Sequence, residues 1–390
     1  MTQGINQVAM AWFILDFTGN SIAWVGIITF AFGLPVFLFT LPAGILADKW
    51  DRKNQLIMAE AFGVIAALIF AGLFLFGIVS TNIALVFSFL FGTSIAFGHP
   101  ARQALVPTLV PRDMLLNAIA LSSMAQNTSR LIGPAVAGFL VAFTGFSVTF
   151  FMMAGMLSAG VLCLLFMRRD LFVINKVASD PQGELKAPNN RVHELFEGVR
   201  FLIGYRPLLV LAGLFFLSGL LVAGPSQALI PVIIKTELGK DAYHLGLLFP
   251  AQSVGMILMA LYLTTQGSLS NKGGWFATSM VVAMFFYAGY IYSPWYSTTM
   301  IFFFLYGLAA GIYINMSQTL MTAHTPHHLL GRVLSIYALS LQGFLPLGAL
   351  LAGLLATEIG AQPAALSGAI LALIAASIAL IFAKSFRRLG

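Results

Sequence analysis

Across 390 residues the chain is 59% hydrophobic and only 8% charged, with a mean hydropathy of +0.93. A soluble domain carries about 25% charged residues, so this composition excludes an ordinary water-covered globular domain, and the net charge of +7 is not by itself a sign of nucleic-acid binding. Twelve bilayer-crossing helices of about 20 residues would fill roughly 60% of the chain, close to the apolar fraction, so an all-α integral membrane protein is predicted. The single cysteine, Cys163, leaves no internal disulfide or paired-cysteine metal site. It lies in an apolar run and is expected as an inert packed thiol.

In chain order, apolar runs alternate with turn and charge punctuation. The first, 4–17, is too short for about 30 Å of hydrocarbon at 1.5 Å per residue. It is also polar, with Thr2, Gln3, Asn6 and Gln7. It reads either as an amphipathic stub or as a first span entered part-way, and the second is favoured. Eleven full spans follow at 22–47, 56–78, 82–107, 115–143, 147–167, 208–232, 243–266, 274–292, 297–321, 332–356 and 361–383. The amino end has neither a basic n-region nor an A-x-A-like site, so a cleavable signal peptide is not expected.

The polar stretch 168–206 divides the spans into halves, 1–167 and 207–390. Its first part, including DPQGELKAPNN, has a flexible-linker composition. Its second part sets Val192, Leu195, Phe196 and Val199 at helical spacing against His193, Glu194, Glu197 and Arg200, the pattern of an amphipathic helix on the inner membrane surface. A tether between halves is the favoured role and a partner-binding surface the alternative. Placing the 48–53 loop in the cytoplasm puts 17 of the 20 basic residues inside, with Lys235 and Lys240 outside and Arg130 within a span. The positive-inside rule therefore predicts a multi-pass inner (plasma) membrane protein with a cytoplasmic carboxyl end.

A shift of 215 residues aligns 101–145 with 316–360 without a gap. It matches Gln103 with Gln318, Leu105 with Leu320, Pro111 with Pro326, Leu115 with Leu330 and Gly133 with Gly348. It continues with Ala137 and Ala352, Gly138 and Gly353, Leu140 and Leu355, Gly145 and Gly360. A shift of 220 pairs Gly19 and Gly26 with Gly239 and Gly246. Ordered Pro and Gly punctuation of this kind indicates a duplicated, parallel 6+6 secondary-transporter plan.

The segment GILADKWDRK, Gly44 to Lys53, resembles the signature loop of the major facilitator superfamily. Asn6 to Ser21 and PARQALVPTLVP, Pro100 to Pro111, are similar to motifs of its enterobactin exporter-like and macrolide-efflux-like branch. The resemblance covers essentially the whole chain. It implies two pseudo-symmetric six-helix bundles, here with a truncated first helix, giving eleven full spans plus a stub. Relatives carry a further turn-rich stretch ahead of the first motif, which supports a missing amino-terminal segment. The resemblance also implies a gate formed by Gly44, Asp48, Arg52 and Lys53, against the simpler reading that these bases only hold the loop inside. The matching stretch 267–274 lacks the Asp and the Arg, so the gate is expected in the first half only.

By topology Arg130 lies about 20 Å from either end of its helix, too deep to reach the interface fully. A charge there costs at least about 2.5 kcal/mol and usually faces a cavity. Ser123, Asn127, Arg130 and Pro134 share one helical face, expected to line the pathway. Gly133, Pro134 and Gly138 are similar to the fifth-span antiporter motif, although its paired glycines are here Ala137 and Gly138. They are expected to set a bend or a close helix packing. Gln227, Gln252, Asn315 and Gln342 are further pathway candidates, with interhelical hydrogen bonding as the alternative for each. No carboxylate sits clearly at mid-membrane, and His99 reads first as a packing histidine. Arg102 is expected to meet acidic loop residues at the inner gate. No Walker loop, GxGxxG after a strand, catalytic triad or HExxH occurs, so no enzyme and no cofactor are expected. The expectation is a monomeric carrier of an amphipathic organic solute, drug or siderophore, embedded in lipid, driven by a proton gradient and without nucleic acid. Uptake, or a receptor role on the same fold, is the alternative.

Overall fold

The computed structural model describes residues 1–111, 114–167, 191–266, 271–326 and 329–382. Its helices begin with α1 (Thr2–Phe17), α2 (Ile22–Lys49), α3 (Arg52–Leu75), α4 (Thr81–Leu105) and α5 (Leu115–Phe166). After the central stretch come α6 (Arg191–Gly204), α7 (Arg206–Ser218), α8 (Gly224–Thr236), α9 (Ala242–Thr265) and α10 (Lys272–Tyr292). The last are α11 (Tyr296–His324), α12 (Leu330–Ala338), α13 (Leu345–Ile359) and α14 (Ala361–Phe382). Where a side chain caps a helix start it is a short oxygen acceptor: Asp51 Oδ1 receives Asn54 N–H at 3.0 Å, and Ser80 Oγ receives Ile83 N–H at 3.3 Å.

Among the described residues, nine helical runs are long and apolar enough to cross a membrane. One of them, Asn117–Phe166, is broken at Gly145, whose φ of 83° and ψ of 176° are not helical. The expected spans 115–143 and 147–167 are therefore the two limbs of α5. α7 continues into α8 through a π-helical turn, Gly219–Ala223, and a second such turn, Leu339–Gly343, joins α12 towards α13. The 16 residues of α1 fall short of a full crossing.

Two compact units divide the chain: Met1–Gly19 with Ile28–Pro188, and Asn20–Ile27 with Asn189–Gly390. The first has a phenylalanine core. Phe70 stacks on Phe87 at 4.2 Å and meets Phe150 edge-on at 4.8 Å, while Phe13 meets Phe74 at 4.8 Å. Aromatic pairs of this geometry add about 0.5–1.5 kcal/mol each beyond burial. The second unit has a tyrosine core: Tyr287, Tyr290, Tyr306 and Tyr313 are all buried, with Tyr290 OH 3.4 Å from Ser226 Oγ.

Small residues set the helix crossings, as expected where lipid provides no hydrophobic drive between helices. In the first unit a Cβ on Gly133 would lie 2.7 Å from the Met1 carbonyl oxygen, and one on Gly4 would lie 2.8 Å from Pro134 Cδ. In the second, a Cβ on Gly224 would lie 2.8 Å from Ala349 N and 2.9 Å from Gly348 Cα. Gly4 and Gly224 are 220 apart, and Gly133 and Gly348 are 215 apart, so the duplicated residues build the same crossing twice. The repeat extends to the backbone: Gly360 has a φ of 87° against 83° at Gly145, and Gly239 has 58° against 64° at Gly19.

Cys163 departs from the sequence expectation. It is exposed on the second limb of α5, beside exposed Leu162, Leu165 and Phe166. An apolar neighbourhood in a membrane chain marks the lipid side as readily as the interior.

Candidate functional site

The signature loop ends α2 and starts α3. Gly44 is half-buried, and the side chain of Asp48 lies outside the described residues. Asp51 caps α3, and the two bases after it turn back into the first unit. Arg52 Nη1 donates to the Ala104 carbonyl at 3.0 Å, and buried Lys53 donates through Nζ to the Met167 carbonyl at 2.6 Å. These acceptors lie at the last residues of α4 and just past α5, where a helix leaves carbonyls unsatisfied and favours a cation. Two signature bases therefore cap neighbouring helices, a role that sequence reasoning missed. Gln55 binds the Ala43 and Phe97 carbonyls through Nε2, at 3.0 and 3.2 Å, and among the described residues its buried Oε1 has no hydrogen-bond partner.

One turn further along α3, Glu60 is buried and pairs with Arg102 of α4, whose side chain is 54% exposed. This corrects the expectation for Arg102: its partner is a carboxylate within the neighbouring helix, not a loop acid. His99 Nε2 lies 3.5 Å from Gln103 Nε2, within electrostatic range of both Arg102 and Arg130. His99 is exposed on α4, so it is not a packing histidine.

On the first limb of α5, Ser123, Asn127 and Arg130 are all exposed, while Gly133, Pro134 and Gly138 are buried. The helix thus turns from a polar exposed strip to a packed glycine–proline surface within one face. Among the described residues, no hydrogen bond or ion pair engages the Arg130 guanidinium.

In the second unit the polar candidates stand on four different elements. Gln227 and Gln252 are half-buried on α8 and α9, and Asn315 Nδ2 donates to the Gly311 carbonyl of its own helix at 2.7 Å. Gln342 is exposed in the π-helical turn that follows α12. The linker 168–190 lies outside the described residues. The amphipathic helix is present as α6, but it also packs on protein. A Cβ on Gly198 would lie 2.9 Å from Ile336 Cδ1, and Glu197 pairs with Arg332. On the loop before α9, Asp241 Oδ1 accepts His244 N–H at 3.2 Å and lies 2.5 Å from His244 Nδ1. Partial burial pushes the Asp241 carboxyl up, but the His244 side-chain and backbone hydrogen bonds and the imidazole charge hold it below its usual range.

Among the described residues, no group of three or more His, Cys, Asp or Glu side chains is placed to hold a metal. The chain matches the transmembrane secretion effector family over residues 2–387. It is 26% identical to the enterobactin exporter EntS of Salmonella typhi, over 90% of this chain and 82% of that one. It is 23% identical to the macrolide efflux protein A of Streptococcus pyogenes, over 92% of this chain and 87% of that one. A match to the MFS-type transporter YfiS of Bacillus subtilis (strain 168), at 29% identity, covers 59% of this chain but only 52% of that relative. Among solved structures, a bacterial homolog of the human lysosomal transporter Spinster, inward-facing and unoccupied, superposes with a TM-score of 0.72. That likeness covers 100% of this chain and 93% of the other at 16% identity, and it is a likeness of fold.

Proposed function

Because the chain belongs to the transmembrane secretion effector family of the major facilitator superfamily, and is thus a multi-pass membrane transporter and not an enzyme, we propose that it exports an amphipathic organic solute in exchange for protons. The observation that carries the direction is that relatives spanning nine-tenths of this chain are named for export or efflux. The exposed strip Ser123–Asn127–Arg130 on a membrane-crossing helix supports a polar pathway through the first half. Gln227, Gln252, Asn315 and Gln342 are the pathway candidates of the second half. In this reading the halves 1–167 and 207–390 alternate access, the carboxyl end is cytoplasmic, the carrier acts as a monomer, and the proton gradient replaces any cofactor. Asp48 is the switching residue of the signature loop, while Arg52 and Lys53 hold the helix ends that it acts upon.

The test is solute flux in proteoliposomes under an imposed pH gradient, across a panel of amphipathic drugs and siderophores. Asp48→Asn is expected to reduce flux at least about tenfold, equivalent to about 1.4 kcal/mol in the rate-limiting barrier, with the same amount of inserted protein. Undiminished flux in that variant removes the gate assignment. Saturable binding without net movement of any solute identifies a receptor instead.

A further inference from the structure

The geometry points to an organic-anion site on the first unit, in which the Arg130 guanidinium holds a carboxylate of the transported solute and Asn127 donates a neutral hydrogen bond beside it. The inference rests on the reading of this strip as part of the pathway and adds the substrate's charge class to it.

Three observations meet at this point. Arg130 sits about 22 Å from Leu115 and from the Gly145 break at 1.5 Å per residue, near the middle of a crossing limb. It is exposed, and it has no hydrogen-bonding or ionic partner among the described residues. A lone cation at that depth needs water or an anion. Second, among the described residues the charges shown near it are engaged or of the same sign. Glu60 is committed to Arg102, Asp51 caps α3, and Arg102 and Arg130 both lie within electrostatic range of His99. Among the described residues, the exposed side of α4 and α5 therefore carries an excess of positive charge.

Third, the duplication supplies an internal control. At the 215 shift Arg130 corresponds to Leu345, which opens α13 next to the same glycine crossing. Asn127 corresponds to Gln342, also exposed. The second unit builds the crossing with leucine, so packing does not require a guanidinium at this position. What the first unit gains is a planar fork of donors, matched in shape to a carboxylate and bidentate with it. A strip of amide and hydroxyl donors on the same face accommodates the rest of the solute's polar edge.

The experiment uses the full chain in lipid nanodiscs, with 6-carboxyfluorescein as an anionic probe and rhodamine 6G as a cationic probe of similar ring system. Fluorescence anisotropy reads binding, and the same probes are followed for flux in proteoliposomes. Carboxyfluorescein is expected to bind. Arg130→Gln and Arg130→Leu should weaken it about tenfold or more, the loss of a charged bidentate contact. Arg130→Lys should retain part of the affinity, because it keeps the charge but not the fork. Asn127→Ala should weaken binding about threefold, which keeps the test available if Arg130→Gln does not fold. Cys163→Ser, on the lipid side, should bind as the parent does.

No binding of carboxyfluorescein, or binding unchanged in both Arg130→Gln and Asn127→Ala, overturns the inference. So does rhodamine 6G binding with carboxyfluorescein excluded. Arg130-dependent binding without flux of either probe upholds the anion site and overturns the transport reading. Flux of rhodamine 6G alone does the reverse.

Discussion

The crossing of α1 with α5 and the crossing of α8 with α13 are made by the same residues in duplicate, yet the helices around them have diverged. Gly4 meets Pro134 in one, and Gly224 meets Gly348 and Ala349 in the other. Around the first crossing lie Arg130, Arg102 and Glu60. At the 215 shift Arg130 is replaced by Leu345, Arg102 by Ser317 and Asn127 by Gln342, with Ser317 Oγ 2.7 Å from Tyr337 OH. The duplicated geometry is what helix packing in lipid demands, where close backbone approach replaces a hydrophobic drive. The charges are free to differ because they do not build the crossing. The two units therefore separate packing from chemistry: what both retain is scaffold, and what only one carries is a candidate for function.

The comparison is most sharply tested where the units agree. Gly133→Leu and Gly348→Leu should each drive a side chain into opposing backbone, at Met1 in one unit and at Leu220 in the other. Overpacking of this kind costs about 3 kcal/mol at the upper end of its usual range. Both variants should lose most of the monodisperse fraction on size exclusion after detergent extraction. A folded, heat-stable Gly348→Leu beside a lost Gly133→Leu would break the structural equivalence of the units.

Where the cores differ, the effects should split. Phe70 is 1% exposed and packs against Phe87 and Phe150, so Phe70→Ala should cost about 3–5 kcal/mol. Tyr287 is buried too, but among the described residues no hydrogen bond of good geometry engages its hydroxyl. Removing an unsatisfied buried hydroxyl relieves a desolvation cost, so Tyr287→Phe should leave thermal stability within about 0.5 kcal/mol of the parent or raise it. Scanning fluorimetry on the pair reads both signs, and a large loss in Tyr287→Phe would mean that the second core is held by its hydroxyls.

The parts of this plan legible in the sequence were those marked by punctuation. Gly145 and Gly360 stand at one offset in the sequence and share one backbone conformation in the structure, because a left-handed φ between consecutive spans is open to glycine and costly for other residues. The placing of Arg130 midway along a long helical limb was legible from the length of its apolar run. The Glu60–Arg102 pair was not, because it depends on the register between α3 and α4, with its members 42 residues apart. Nor were the capping roles of Arg52 and Lys53, whose acceptors are backbone carbonyls and leave no trace in residue types. The phenylalanine core and the exposure of Cys163 were hidden for one shared reason. In a bilayer both the interior and the exterior are apolar, so hydrophobicity locates a span without saying which of its faces meets protein.

The smallest expected effect lies on the loop before α9, where the second unit uses a carboxylate as Asp51 is used in the first. Asp241 is an N-cap held below the usual carboxylate range by His244. A carboxyl whose folded pKa is depressed contributes its stability above its unfolded pKa, about 3.9, and loses it as the pH falls through the lower folded value. Asp241→Ala should cost about 1 kcal/mol at neutral pH through the lost cap. Asp241→Asn should keep most of the cap, since asparagine caps as well as aspartate, but it should flatten the decline in melting temperature below about pH 4. If the parent and Asp241→Asn melt in parallel across that range, His244 acts on the cap through shape and not through charge, and the two N-caps are alike.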